Sequence, residues 1–195
     1  MRIILLVALA MRLYSLTGFS LSNDELSALS RLQFSGFSEI MEKGVIPDFH
    51  PAGVQLFLYY WIKVFGFSEF AVRFPFAIMG VVSVLLLFRI GKSWFGESTG
   101  LLAASALAIL EFPLLYSQIA RPYSPGLMCG LAAVFFWTRF LGVARNGDAD
   151  LNRRGALKDG IGFALSVSAC MYTHYFAFIF AGLVCLAGLF FVKRD

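Results

Sequence analysis

With 195 residues, 59% of them hydrophobic and 14% charged, a net charge of +4 and a mean hydropathy of +0.77, the chain falls outside the range of soluble domains. Its 22 phenylalanines exceed what a soluble core of this size buries, whereas a hydrocarbon solvent accommodates them. The charges sit at the ends of apolar stretches and point to membrane topology and anionic lipid contact, not to nucleic acid. Cys129, Cys170 and Cys185 all lie in apolar segments and read as small hydrophobes, not as a disulfide frame or a metal cluster.

The opening run MRIILLVALAMRLYSL has the basic residue and apolar stretch of a signal peptide. Arg12 interrupts it and no small-residue cleavage site follows cleanly, so it is read as a retained spanning helix over residues 1–18. Residues 19–72 form a long amphipathic connection. Leu26 to Lys43 carries apolar residues at helical spacings and is expected in or near the interface. The aromatic stretch 54–65 is too short for a comfortable span and is read as a helix packed against the bundle or partly embedded. Further spans are expected at Phe74–Ile90, Gly100–Ser117, Tyr123–Gly142, Leu157–His174 and Ala177–Val192. The stretch 143–156 is read as aqueous. The expected fold is thus an all-α, polytopic transmembrane bundle of six spans, with juxtamembrane helices in its long first outer loop. The chain stops at K-R-D just after an apolar helix, and 1–195 is read as the N-terminal part of a larger membrane domain.

Basic residues test the orientation. Arg2, Arg89, Lys92, Arg139, Arg145, Arg153, Arg154, Lys158, Lys193 and Arg194 fall on one set of helix ends. Asp24, Glu25, Glu39, Glu42, Asp48 and Glu69 fall on the other. The bias places both termini in the cytoplasm and the long loop outside. Three polar islands then share the outer face: L-S-N-D-E-L, H-P-A-G and Y-S-Q-I-A-R-P-Y, with His174 beside them.

Asp24 and Glu25 follow the first span, and as helical neighbours they cannot point the same way. A helix start is the plain explanation, since Ser22-Asn23-Asp24 is rich in capping residues and acids suit a first turn. A carboxylate beside apolar walls can also take a proton from an alcohol or amine. His50-Pro51 opens another helix, where the histidine either marks the helix entrance or positions a substrate. Arg121, just before Pro122, suits a phosphate through paired hydrogen bonds, or snorkels to headgroups. Gln118 and Tyr123 offer neutral hydrogen bonds. His174 lies in an aromatic cluster that a membrane belt explains almost as well as ligand contact. Arg73 is expected to pair with Glu69 one turn earlier, in a structural role. Glu111 lies inside the third span before Phe112 and Pro113, where a bend and a buried carboxylate are expected. A divalent cation held by Asp24, Glu25 and His50 stays open, although no ligand spacing demands one and Ile119 adds no ligand.

Taken together, N-D-E, H-P-A-G-V-Q-L-F-L-Y-Y-W, F-G-F-S-E-F-A-V-R-F-P-F-A-I-M-G and Y-S-Q-I-A-R-P-Y resemble the type C glycosyltransferases. The resemblance is to the dolichyl-phosphate-mannose–protein mannosyltransferases and their bacterial relatives. The motifs cover nearly the whole chain and are specific in combination. H-P-A departs from the family's H-P-P at Ala52. The resemblance implies a plasma-membrane enzyme that moves a sugar from a polyprenyl-phosphate donor to a protein, lipid or glycan acceptor on the outer side, with inversion. It implies Asp24 as catalytic base, Glu25 as its companion, His50 and Arg121 near the substrate, and a remaining C-terminal portion or partner subunit. No nucleotide-binding motif is present in the sequence. A transporter or flippase for a lipid-linked substrate, and a non-catalytic membrane subunit, are the competing readings.

Overall fold

The computed structural model describes residues 1–47, 50–145 and 149–191, whose regular elements are all helices, without a strand. Helix α1 spans Arg2–Leu13, α2 Asn23–Ser30 and α3 Phe37–Glu39, the last running into a π-helical turn at Ile40–Val45. Then follow α4, Ala52–Phe65; α5, Glu69–Phe95; α6, Glu97–Ile109; α7, Glu111–Ser117; α8, Tyr123–Arg145; α9, Ala149–Thr173; and α10, Phe176–Phe191. Asp48, residues 146–148 of the loop expected to be aqueous, and the basic pair Lys193–Arg194 lie outside the described residues.

Among the described residues, α5 and the Tyr123–Gly142 part of α8 are long and apolar enough to cross a membrane. Helices α6 and α7 together form a third path, bent by 60°. These criteria carry two or three crossings, not the six expected. Helix α1 ends at Leu13, so its 12 residues reach only about 18 Å. Helix α10 has 16 residues. Helices α8 and α9 each run further into the 143–156 stretch than the apolar pattern indicated.

The expected bend in the third span is present, with Leu110 extended between α6 and α7. Glu111 departs from expectation. It is exposed in the first turn of α7, because the break turns it outward and lets it face the positive end of that helix. The amphipathic stretch after residue 26 is likewise not one helix. Gly36 adopts an extended backbone between α2 and α3 and separates them.

Two buried clusters organise the chain. One joins α1, α5 and α6 through Ala8, Val84, Phe88, Ala104, Leu107 and Ala108. The other lies beneath the long first connection, where Leu29, Ile40, Leu58, Tyr59, Val72, Phe76 and Ala120 bring α2, the π-turn, α4, α5 and the linker after α7 together. Gly53, in the first turn of α4, touches α9. A Cβ there would stand 2.4 Å from the carbonyl oxygen of Tyr172, so only glycine permits this approach.

Helix α5 starts at a Ser68 cap, whose hydroxyl accepts from the Ala71 N–H at 3.1 Å. Inside it, Pro75 has no N–H to donate to the Ala71 carbonyl four residues back. The Trp61 indole of α4 donates to that carbonyl instead, at 2.7 Å. Trp61→Phe leaves the carbonyl without this donor and is expected to cost about 1–2 kcal/mol. The loss is read as a lower denaturation midpoint, and adding Pro75→Ala, which restores an N–H to the helix, is expected to recover part of it.

Candidate active site

The geometry starts from Glu25, which is fully buried at the first turn of α2. Its Oε2 accepts from the Ser22 N–H at 2.9 Å, and the Ser22 hydroxyl accepts from the Glu25 N–H, closing a capping box. Arg73 of α5 clamps both carboxylate oxygens, with Nε to Oε1 and Nη2 to Oε2, each at 2.8 Å. The Ala120 N–H donates to Oε1 at 3.0 Å. Burial alone would push the Glu25 carboxyl up. The Arg73 hydrogen bonds, those from the Ser22 and Ala120 backbone and the arginine's charge more than offset this, and hold it below the usual carboxylate range. Arg73 also donates to the carbonyls of Leu16, Phe19 and Ser20, so all five of its N–H groups are engaged. One ion pair therefore ties the turn after α1, the start of α2, the N-terminal end of α5 and the linker after α7. Arg73 has the expected structural role but with a different partner: it bonds Glu25, 48 residues away, and not Glu69.

Asp24, next in the same first turn, faces the other way. It is exposed, and among the described residues none donates a hydrogen bond to its carboxylate. The Arg121 guanidinium approaches its backbone carbonyl at 3.4 Å through Nη1, and His50 Nε2 at 3.4 Å through Nη2. Arg121 Nε is buried and has no hydrogen-bond partner. The contrast with Arg73 is chemical: one arginine is saturated with acceptors, while the other makes two long contacts and keeps donors in reserve. Because Ala120 is bonded to Glu25, the ion pair also sets the position of Arg121.

The structure thus brings Asp24, Glu25, His50 and Arg121 together. Gln118 adjoins them but is committed elsewhere. Its amide nitrogen donates to the carbonyls of Met11, Arg12 and Tyr14, at 3.3, 3.2 and 3.0 Å, and caps the end of α1. A cavity of about 440 Å³ holds Asp24, Glu25, Arg73, Gln118 and Tyr123 in its lining. A second cavity, of about 570 Å³, lies among α6, α7, α8 and α10 with almost wholly apolar walls, and His174 and Tyr123 line it. His174 Nδ1 accepts from the Phe176 N–H at 3.3 Å, and its ring stacks on Phe176 with centroids 5.5 Å apart. His174 therefore belongs to the apolar cavity and not to the Asp24 cluster.

No three His, Cys, Asp or Glu side chains converge among the described residues in a way that could hold a metal ion. Both Glu25 oxygens already receive donors, so the acidic pair presents a cation with one carboxylate and not two.

The family model of the dolichyl-phosphate-mannose-protein mannosyltransferases matches residues 49–193. The chain belongs to this family. It is a membrane glycosyltransferase of the class that uses lipid-linked sugars, and its helical architecture agrees. No curated protein and no solved structure matches it. The matched stretch includes His50, Gln118, Arg121, Tyr123 and His174, while Asp24 and Glu25 precede it and come to the site through the Arg73 clamp.

Two residues of the site region gave little sequence signal. Arg12 is buried, and its guanidinium donates to the carbonyls of Leu107 and Ala108 at 3.1 Å, capping the last turn of α6. In the sequence it is legible only as a charge out of place in an apolar run. Tyr116 reads as one aromatic among many. In the fold it lines both cavities.

Proposed function

We propose that the chain transfers a sugar from a polyprenyl-phosphate donor to a protein, lipid or glycan acceptor, with Asp24 as the base. The observation that carries this is the unbonded Asp24 carboxylate, which lines the smaller cavity, on a residue whose backbone carbonyl is contacted by Arg121, a guanidinium with donors to spare. An acceptor O–H or N–H gives its proton to Asp24 as its lone pair attacks the anomeric carbon from the face opposite the leaving group. The bond from that carbon to the phosphate oxygen breaks, its electron pair stays on the phosphate, and the sugar is transferred with inversion. Arg121, with His50 at its edge, meets the charge that grows on the leaving phosphate. Glu25 is a positioning residue, since its occupied oxygens and lowered carboxyl range leave it poorly suited to accept a proton.

In this reading both termini are cytoplasmic and the Asp24 loop faces outward, consistent with the basic residues on the opposite helix ends. A transporter reading has less support. Glu111, the mid-span carboxylate that suggested one, is exposed at the start of α7.

The test is transfer by the purified chain in lipid nanodiscs, offered a panel of polyprenyl-phosphate sugars. Arg121→Ala is expected to raise the donor KM about tenfold or more, the scale of a lost hydrogen bond to a charged group. Arg121→Lys should recover only part, because a point charge does not replace a planar fork. Donor turnover unaffected by Arg121→Ala would remove the arginine from the mechanism.

A further inference from the structure

The polar and apolar cavities share two side chains, Tyr116 and Tyr123. Tyr116 lies at the end of α7 and Tyr123 opens α8, on either side of the linker that carries Arg121. Their rings meet edge to face, with centroids 4.5 Å apart at 75°. Phe112 stands behind Tyr116 at 4.3 Å, bracing that ring from within α7. On one side of the pair lies the polar cavity with Asp24. On the other lies the larger cavity, whose apolar walls come from residues such as Leu107, Leu127 and Leu131. His174 sits in that wall, its Nδ1 accepting from the Phe176 N–H. A ligand that matches both sides has an apolar chain and a polar head, and the Arg121 guanidinium on the linker between the two tyrosines suits that head to carry an anion.

We propose that the Tyr116–Tyr123 pair is the passage between the two cavities and positions the junction of an isoprenoid chain with its phosphate. The first isoprene units lie against the two rings, the rest of the chain occupies the apolar cavity, and the phosphate emerges beside Arg121. This rests on the glycosyl-transfer reading and deepens it by making Tyr116, through its ring and not its hydroxyl, a positioning residue for the donor. The presence of both rings in the lining of both cavities supports it, as does their edge-to-face contact across the short linker that carries Arg121. The rings offer flat apolar faces where the two linings meet.

The experiment uses the full chain in nanodiscs and two probes: polyprenyl phosphate without a sugar, followed by binding, and a polyprenyl-phosphate hexose, followed by turnover. Tyr116→Phe keeps the ring and is expected to behave as the parent. Tyr116→Leu keeps apolar packing against Phe112 but loses the ring. It is expected to weaken polyprenyl phosphate binding and raise donor KM about tenfold, with kcat near the parent value. Tyr116→Trp serves as a second variant that narrows the passage without opening a void, and is expected to raise donor KM as well. Parent-like binding and KM in both Leu and Trp variants would overturn the passage. The binding arm needs no turnover, so a chain that binds polyprenyl phosphate, loses it in Tyr116→Leu and yet transfers no sugar retains the passage and refutes the transfer reading. Intact transfer with unchanged binding in both variants refutes the passage alone.

Discussion

Asp24→Asn is expected to lower kcat about 10²–10⁴-fold, the range supplied by a positioned general base, while leaving donor binding and thermal stability near their parent values. The amide matches the carboxylate in size, and the side chain it replaces is exposed and makes no hydrogen bond to a described residue. No native contact is therefore lost, and the change removes only the ability to take a proton. Single-turnover transfer in nanodiscs, compared with donor binding in the same preparation, separates the two effects. Activity that survives in Asp24→Asn and vanishes in a folded Glu25→Gln chain would reverse the roles assigned to the acidic pair.

Arg73→Ala is expected to be the most destabilising single change in the site, at about 3–5 kcal/mol. It leaves a fully buried carboxylate without its cation and strips donors from three backbone carbonyls. Arg73→Lys keeps a charge but loses the bidentate fork, so it is expected to fall between the two. Glu25 adds a pH dependence whose sign follows from its depressed carboxyl range. The unfolded chain holds the glutamate proton with a pKa near the ordinary value of about 4.3, and the folded chain releases it at a lower pH. The stabilisation is therefore complete above that value and is lost as pH falls through the folded-state pKa, because the unfolded state then binds the proton first. Denaturation midpoints followed from neutral pH downward should show this acid limb in the parent and a flatter one in Glu25→Gln. An identical acid limb in both would remove Glu25 from the linkage.

Much of the architecture was legible because it depends on local rules. Apolar length and spacing marked the helices at α5 and α8, and a proline with a carboxylate marked the bend before α7. The capping residues at Ser22 marked the start of α2, and the dozen-residue aromatic stretch was correctly separated from the spans as α4. Local rules also misled. Spacing of four suggested Glu69 as the partner of Arg73, since neighbours on one helix face can always meet. The fold turns Arg73 inward instead, where a fully buried carboxylate at the start of another helix requires a cation more than the half-buried Glu69 does. Gln118 offered an amide to a substrate by position alone, yet the unpaired carbonyls at the end of α1 claim it, as helix ends generally claim nearby donors. Arg12 is used in the same way at the end of α6.

The sequence by itself determined that this is an all-helical membrane chain of the glycosyltransferase family, and which short polar segments interrupt its apolar runs. The helical membrane character follows from composition and periodicity, and the family from the resemblance of its motifs, all of which the order of residues records directly. Only the tertiary structure decided which member of Asp24-Glu25 is free and which arginine is saturated. It also decided that two tyrosines on different helices face each other between two cavities. The roles of the acidic pair and the two arginines depend on contacts across 48, 95 and 97 positions, from Glu25 to Arg73, from Glu25 to Ala120 and from Asp24 to Arg121. Such contacts form because buried polar groups must find partners wherever packing places them, and no local spacing in the chain encodes that choice.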